Sequence, residues 1–209
     1  MTRTSLPRWL EWAREIQALA QSGNAYAVNE YQRERYRRLA EIAAEIISEH
    51  TQVPYEPLAA DFHAQTGYAT PRIDVRGAVF LEGKILLVKE RLDGGWTMPG
   101  GWVDVGDTPS GGAEREVSEE AGFRVKATKV IGVYDANRGG SLDLFHAFKI
   151  VFFCTLIDGT ARPSLETSDV AFFGRDEIPA QLSGFRTTPR HIRDAFAAQM
   201  DPLQPTIFD

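Results

Sequence analysis

The sequence predicts an α/β (α+β) sandwich on a mixed β-sheet, preceded by a small all-helical N-terminal domain. Three observations predict it. Residues 1–66 show helical apolar periodicity and almost no glycine. Residues 72–175 alternate short β-branched and aromatic runs with glycine turns. Only two strong helical patterns interrupt that second half, so strands surround a few helices. The shift in composition divides the chain into a helical domain, 1–66, and a sandwich domain, 67–209.

The elements follow in order. Trp9, Trp12, Ala13, Ile16, Leu19 and Ala20 recur at spacings of three and four and predict an amphipathic helix closed at Ser22-Gly23. A second helix spans Glu30 to Glu49, with Tyr36, Leu39, Ile42, Ala43 and Ile46 on one face. A short third helix covers Pro57 to Gln65, and Gly67 to Pro71 is a linker. Ile73 to Leu81 and Lys84 to Lys89, joined by Glu82-Gly83, predict a hairpin. Further strands are predicted at Val125 to Tyr134, Phe145 to Leu156 and Val170 to Gly174. The two helices of this half are Pro109 to Ala121 and Thr188 to Gln199.

The chain has 209 residues, 23 basic against 29 acidic, for a formal charge of −6. Such a balance supplies no global field for a nucleic-acid backbone, and no DNA partner is expected. Residues 1–50 hold seven basic and seven acidic side chains, so Arg33, Arg35, Arg37 and Arg38 belong to a balanced surface. The best candidate for a membrane span, Ile150 to Ile157, is far too short, and Met1 to Ala20 has no uninterrupted apolar segment of the signal-peptide kind. The single cysteine, Cys154, sits in an apolar run and suits a buried role in a reducing cytoplasm.

One stretch carries chemistry. From Gly101 to Phe123 a glycine-rich loop leads into a helix that Thr108 caps, Pro109 starts and Gly122 ends. On that helix Glu116, Glu119 and Glu120 fall within about a third of a turn at 100° per residue, beside Arg115. Three clustered carboxylates repel unless a cation joins them. Hard oxygen donors select Mg²⁺ or Mn²⁺, and Mg²⁺ completes its shell with waters and substrate phosphates. The residues therefore point to metal-assisted phosphate chemistry.

This pattern resembles the Nudix box: glycine, five residues, glutamate, seven residues, then Arg-Glu-aliphatic-any-Glu-Glu-any-Gly-aliphatic. Gly101, Arg115, Glu116, Val117, Glu119, Glu120, Gly122 and, loosely, Phe123 match, and Asp107 stands where the family has glutamate. Gly95 to Gly100 resembles the family's approach to the box, and Asp169 to Pro179 its exit. The N-terminal segment with Trp9, Gly23, Tyr26, Tyr31 and Arg35-Tyr36, joined to Asp74-Val75-Arg76-Gly77, resembles the subgroup that hydrolyses X-linked nucleoside diphosphates, CDP-choline pyrophosphatase among them.

The resemblance implies a Nudix-type α/β/α sandwich and a Mg²⁺-dependent hydrolase, with Mn²⁺ as the alternative ion. Glu116 and Glu120 would be the principal ligands, with Glu119 close enough to share an ion and the Gly100 carbonyl as backbone ligand. Arg115 would orient a glutamate, with Asp107 reaching one methylene less far toward it. The general base is expected on a loop outside the box, where Glu166 is the candidate. A diphosphate needs cations and a base needs a stacking ring. Arg76 and Arg91 are the foremost phosphate candidates; Asp135, Arg138, His146 and Lys149 could line the same cleft. Tyr134 is the candidate stacking ring, whereas Trp96 reads as packing. Since that subgroup forms homodimers, the N-terminal helices are expected to help build a dimer. ADP-ribose and nucleoside triphosphates remain alternative substrates, and a ligand sensor without activity is the non-enzymatic alternative.

Overall fold

The computed structural model describes residues 7–139 and 144–209, Arg138 and Gly139 through their backbone alone. These residues form two compact units, one of residues 7–71 and 144–146 and one of Arg72–Gly139 and Ala147–Asp209.

The first unit contains α1 (Arg8–Ala25), α2 (Glu30–His50) and α3 (Tyr55–Ala64). Leu10, Ala13 and Ala20 of α1 share a core with Ala40, Ala43, Ala44 and Ile47 of α2 and with Leu58, Ala59 and Phe62 of α3. Asn29 caps α2 by accepting the Gln32 N–H at 2.9 Å. One expectation changes here: α1 does not stop at Ser22-Gly23 but runs on to Ala25. A Cβ on Gly23 would collide with the ring of Tyr36 on α2. That glycine therefore serves close helix packing rather than capping.

The second unit contains β1 (Arg72–Leu81), β2 (Lys84–Glu90), β3 (Trp96–Thr97), α4 (Pro109–Ala121), β4 (Phe123–Asp135), a 3₁₀ turn (Ala136–Gly139), β5 (Ala147–Gly159), β6 (Thr167–Phe173), α5 (Pro189–Met200) and β7 (Ile207–Phe208). β1 runs parallel to β5, from Arg72 opposite Ala147 to Val79 opposite Cys154. β5 is antiparallel to β4, and β7 joins β4 in parallel. The sheet is thus mixed, as the composition predicts. The hairpin is only partly formed: β1 and β2 pair at Phe80–Ile85 and Leu81–Lys84 and then separate, β2 turning to β6 and β3. The edge of β1 that β2 leaves is taken by the segment around Pro99 to Val103, whose main chain bonds to Ile73, Val75 and Gly77.

Strand parity divides the core between two helices. Val75, Val79, Leu86 and Val88 pack with Ala113, Val117 and Ala121 of α4, together with buried Cys154. Ala78, Ile85, Leu87, Tyr134 and Val151 pack with Ile192, Ala195 and Phe196 of α5. A helix on each face makes the unit an α/β/α sandwich. Among the described residues no helix is long and apolar enough to cross a membrane.

At the start of α5, Thr188 Oγ1 accepts the His191 N–H at 3.4 Å, and the Thr188 N–H donates to His191 Nδ1 at 3.2 Å. An accepting Nδ1 requires a neutral ring. Burial, with Lys149 and Arg76 adding to it, pushes the imidazole down to about 3. Because the folded value is depressed below the ordinary 6.5, the unfolded chain binds the extra proton between those pH values. Stability is therefore expected to fall as pH drops below about 6.5, by up to about 1.4 kcal/mol per pH unit from this group. His191→Gln keeps the capping partner and removes the titration. Urea unfolding at pH 4 to 7 should show a shallower slope in the variant, and identical slopes would refute this account.

Candidate active site

The glycine loop owes its path to β1. The N–H of Gly77 donates to the Pro99 carbonyl at 2.9 Å, that of Val75 to Gly101 at 2.8 Å, and that of Val103 to Ile73 at 3.1 Å. Gly100 sits between these bonds with φ +149°. A side chain there would strike the Val75 carbonyl. Held so, the Gly100 N–H donates to Glu120 Oε2 at 2.9 Å. The loop and the glutamate helix are thereby locked together.

α4 is bounded as its sequence predicts: the Thr108 hydroxyl accepts the Gly111 N–H at 3.1 Å, and Gly122 closes the helix with φ 78°. Of its four glutamates, Glu116, Glu119 and Glu120 do not share one environment. Glu120 is buried, Glu116 is half-buried facing Gly101, whose Cβ position lies 3.1 Å from Glu116 Oε1, and Glu119 is exposed. Burial pushes Glu120 up to about 7 against the Gly100 N–H and Arg76, while Glu90 and Glu116 push the same way as burial. Burial likewise raises Glu116, opposed chiefly by Arg115.

Arg115 spreads its guanidinium over four carboxylates: Glu116 at 2.9 Å, Glu119 at 3.1 Å, Asp107 at 3.2 Å and Asp104 at 3.4 Å. Asp107 is long enough to reach it despite lacking one methylene. The arginine orients the helix carboxylates through single contacts rather than a bidentate fork on one of them.

Arg76, expected on a substrate phosphate, and Lys149, expected to line the cleft, are placed otherwise. Arg76 is buried, with Nε on Asp74 Oδ1 at 3.0 Å, Nη2 on Oδ2 at 2.7 Å and Nη1 on the Met98 carbonyl at 3.3 Å. Lys149, opposite Asp74 in the parallel register, is buried and donates to Asp74 Oδ1 at 2.5 Å. Both donors are spent inside the sheet, and neither offers its charge to solvent. Burial alone would raise Asp74, but Arg76 and Lys149 hold it below its ordinary value. Arg76 also acts electrostatically on Glu90, Glu116 and Glu120. It is therefore the buried countercharge behind the carboxylates, tied by Met98 to the loop that holds them.

Tyr134 is not a stacking surface either. Its ring is buried 4.6 Å from that of His191, and its hydroxyl donates to Asp194 at 3.1 Å. Trp96 packs edge-on against Phe173, as expected. His146 is exposed and belongs to the first unit, Asp135 caps the 3₁₀ turn by accepting the Asn137 N–H, and the side chain of Arg138 lies outside the described residues.

Glu166 and Arg91 are brought together. The Arg91 N–H donates to the Glu166 carbonyl at 2.9 Å, and both residues are exposed. The next residue, Thr167, donates its hydroxyl to the Glu120 carbonyl at 2.9 Å, which fastens this loop to the end of α4. Beside them lies Glu90, which the sequence reading did not single out. It is buried, 3.3 Å from Arg186, and raised by burial despite that arginine and Arg76. Strand parity was the available signal, since Glu90 is in phase with the core residues Leu86 and Val88.

The donor chemistry suits a divalent cation. Glu116 and Glu120 are hard oxygen donors one turn apart, and at both sites burial outweighs the nearby guanidinium groups. An incoming cation would relieve that cost. Among the described residues no three carboxylate, imidazole or thiol groups form a ready-made metal site. The arrangement thus fits an ion that keeps part of its hydration and borrows substrate oxygens rather than a closed protein cage.

Comparison with known proteins adds the family. Residues 71–196 match the NUDIX domain model, and residues 7–62 match a model described as a UDP-X-like, N-terminal oligomerisation domain. Bacillus subtilis YjhB, whose name carries a provisional ADP-ribose pyrophosphatase assignment, is 36% identical over 203 residues, 97% of each chain. The crystal structure of a UDP-X diphosphatase matches with a TM-score of 0.62 at 28% identity, over 97% of this chain and 98% of that one. An ADP-ribose pyrophosphatase structure from Streptococcus suis matches with a TM-score of 0.61 at 35% identity, over 67% of this chain and all of that one. Family members generally use divalent cations. With its glutamate helix, its glycine loop and this span of similarity, the chain belongs to the Nudix hydrolase family.

Proposed function

We propose that this protein hydrolyses the pyrophosphate linkage of a nucleoside diphosphate joined to a second moiety, CDP-choline being the representative substrate, to give a nucleoside monophosphate and a phosphorylated X. The observation that carries the reading is the joining, on one chain, of a Nudix domain to a UDP-X-like N-terminal domain.

Glu116 and Glu120 would hold Mg²⁺, with Glu119 and the Gly100 carbonyl at its margin and Mn²⁺ as a possible replacement. The bound ion supplies Lewis-acid stabilisation of charge on the bridging and leaving oxygens. Arg115 and the Gly100 N–H keep the two carboxylates in place. Glu166, exposed on the loop that Thr167 fastens to α4, is the proposed base that takes the proton from the attacking water. Arg91, exposed beside it, is the proposed phosphate contact.

A second reading is ADP-ribose hydrolysis, favoured by the names of YjhB and of the S. suis protein. Against it, Val133 to Ser141 lacks the proline of typical ADP-ribose members.

Phosphorus NMR after incubation with Mg²⁺ and CDP-choline, UDP-sugars, ADP-ribose or nucleoside triphosphates separates the readings. Cleavage of a diphosphate-linked compound to two monophosphates is expected, and cleavage confined to triphosphates would overturn the proposal. A homodimer through the N-terminal helices is also proposed: Trp12, Leu19 and Tyr31 are exposed on α1 and α2, and Tyr26 and Val28 on the turn that joins them. Light scattering of the same sample should give twice the chain mass, and a monomer at micromolar concentration contradicts the dimer.

A further inference from the structure

We propose that Trp102 is the residue on which the nucleobase of the substrate stacks, an inference that rests on the hydrolytic reading above. Trp102 pairs with Asp74 in an isolated antiparallel bridge. The two main-chain bonds beside it, Val75 N–H to Gly101 and Val103 N–H to Ile73, flank the pair instead of joining its members. This is the non-hydrogen-bonded type of pair, whose Cα atoms lie about 4.5 Å apart. Directly opposed side chains share one face of the sheet. The indole is therefore on the face where Asp74 holds Arg76 and Lys149.

One residue earlier the chain faces the other way, with the Cβ position of Gly101 against Glu116. Gly100 to Trp102 thus presents the metal-ligating carboxylates on one side and an indole on the other, only one residue apart. Trp102 leaves 51% of its surface in solvent. Its neighbours in the bridge are buried and internally paired, so the indole offers a flat apolar face beside a filled polar cluster rather than a hydrogen-bonding pocket. A planar ring covers such a face; a quaternary ammonium group is held by several aromatic walls. The ligand chemistry that fits is a nucleobase, read by its face and hence with little preference among bases.

The test uses the full chain with Trp102→Ala and Trp102→Phe. Turnover of the best substrate is measured with Mg²⁺, and calorimetry gives the affinities for CMP, UMP, AMP and phosphocholine. Trp102→Ala should raise KM about 10–100-fold with kcat within about twofold, and Trp102→Phe should restore most of the loss. Nucleoside monophosphate affinity should fall in parallel, with phosphocholine affinity unchanged. An unchanged KM in Trp102→Ala, or loss of phosphocholine binding in place of nucleotide binding, overturns the stacking role and leaves hydrolysis standing. A wild-type protein that binds no nucleoside monophosphate also overturns it. A wild type that hydrolyses nothing, yet loses nucleotide affinity on Trp102→Ala, overturns the hydrolytic reading and supports the stacking role.

Discussion

Glu116→Gln is expected to lower kcat about 10³-fold while leaving the fold intact, equivalent to about 4 kcal/mol of lost transition-state stabilisation. The substitution keeps the side-chain shape and removes one of the two carboxylates proposed to hold the cation. Stability should change little, because burial already makes the Glu116 charge unfavourable and its partner Arg115 retains Glu119, Asp107 and Asp104. Thermal unfolding within about 3 °C of the wild type, together with the lost turnover, would separate a chemical role from a structural one. The cation dependence should weaken in the same variant, read as a higher Mg²⁺ concentration for half-maximal rate. A fully active variant with unchanged Mg²⁺ dependence would remove Glu116 from the metal site.

Asp74→Asn should have the largest effect on stability. The wild-type carboxylate sits between two buried cations, with Arg76 and Lys149 side chains each 3% exposed. Neutralising it removes from both buried cations the carboxylate that lies between them, a change that costs about 3–5 kcal/mol. For a chain of this length Tm should fall by about 10 °C. Lys149→Met should cost less, because the Arg76–Asp74 pair survives it. The double variant Asp74→Asn/Lys149→Met should be less damaging than the sum of the two, by about 0.5–3 kcal/mol. Additive effects, or an unchanged Tm in Asp74→Asn, would show that the three charges do not act as a unit. Activity should fall with stability, since Arg76 is bonded to Met98 in the loop that holds Gly100.

The contrast between these two sites shows what was legible in the sequence. Helix α4 was readable almost residue by residue, because its cap, its first-turn proline, its closing glycine and its carboxylate spacing are all local. Asp107 lay within that pattern too, although only the structure shows that it reaches Arg115. Arg76 looked like a phosphate ligand and Lys149 like a cleft residue because a sequence displays charge without displaying its partner. Asp74 and Lys149 are 75 residues apart and meet only through the parallel pairing of β1 with β5. Tyr134 was misread for the same reason: its spacing marks a strand but does not say which helix covers it. Glu90 escaped notice because an acidic residue at a strand end ordinarily faces water, and only its phase with Leu86 and Val88 hinted otherwise. β3 and β7 were missed because two-residue strands carry no periodicity.

By itself, then, the sequence determined whatever depends on neighbours within a turn or a strand: the helices and their caps, the main strands, the glutamate box and the family it marks. Only the tertiary structure decided which charges are buried and with whom, that β2 leaves β1 to make room for the glycine loop, and that Gly23 exists for the ring of Tyr36. The physical reason is one of range. Backbone preferences and side-chain periodicity act over a few residues, whereas burial and ion pairing are set by strand registers that join distant parts of the chain.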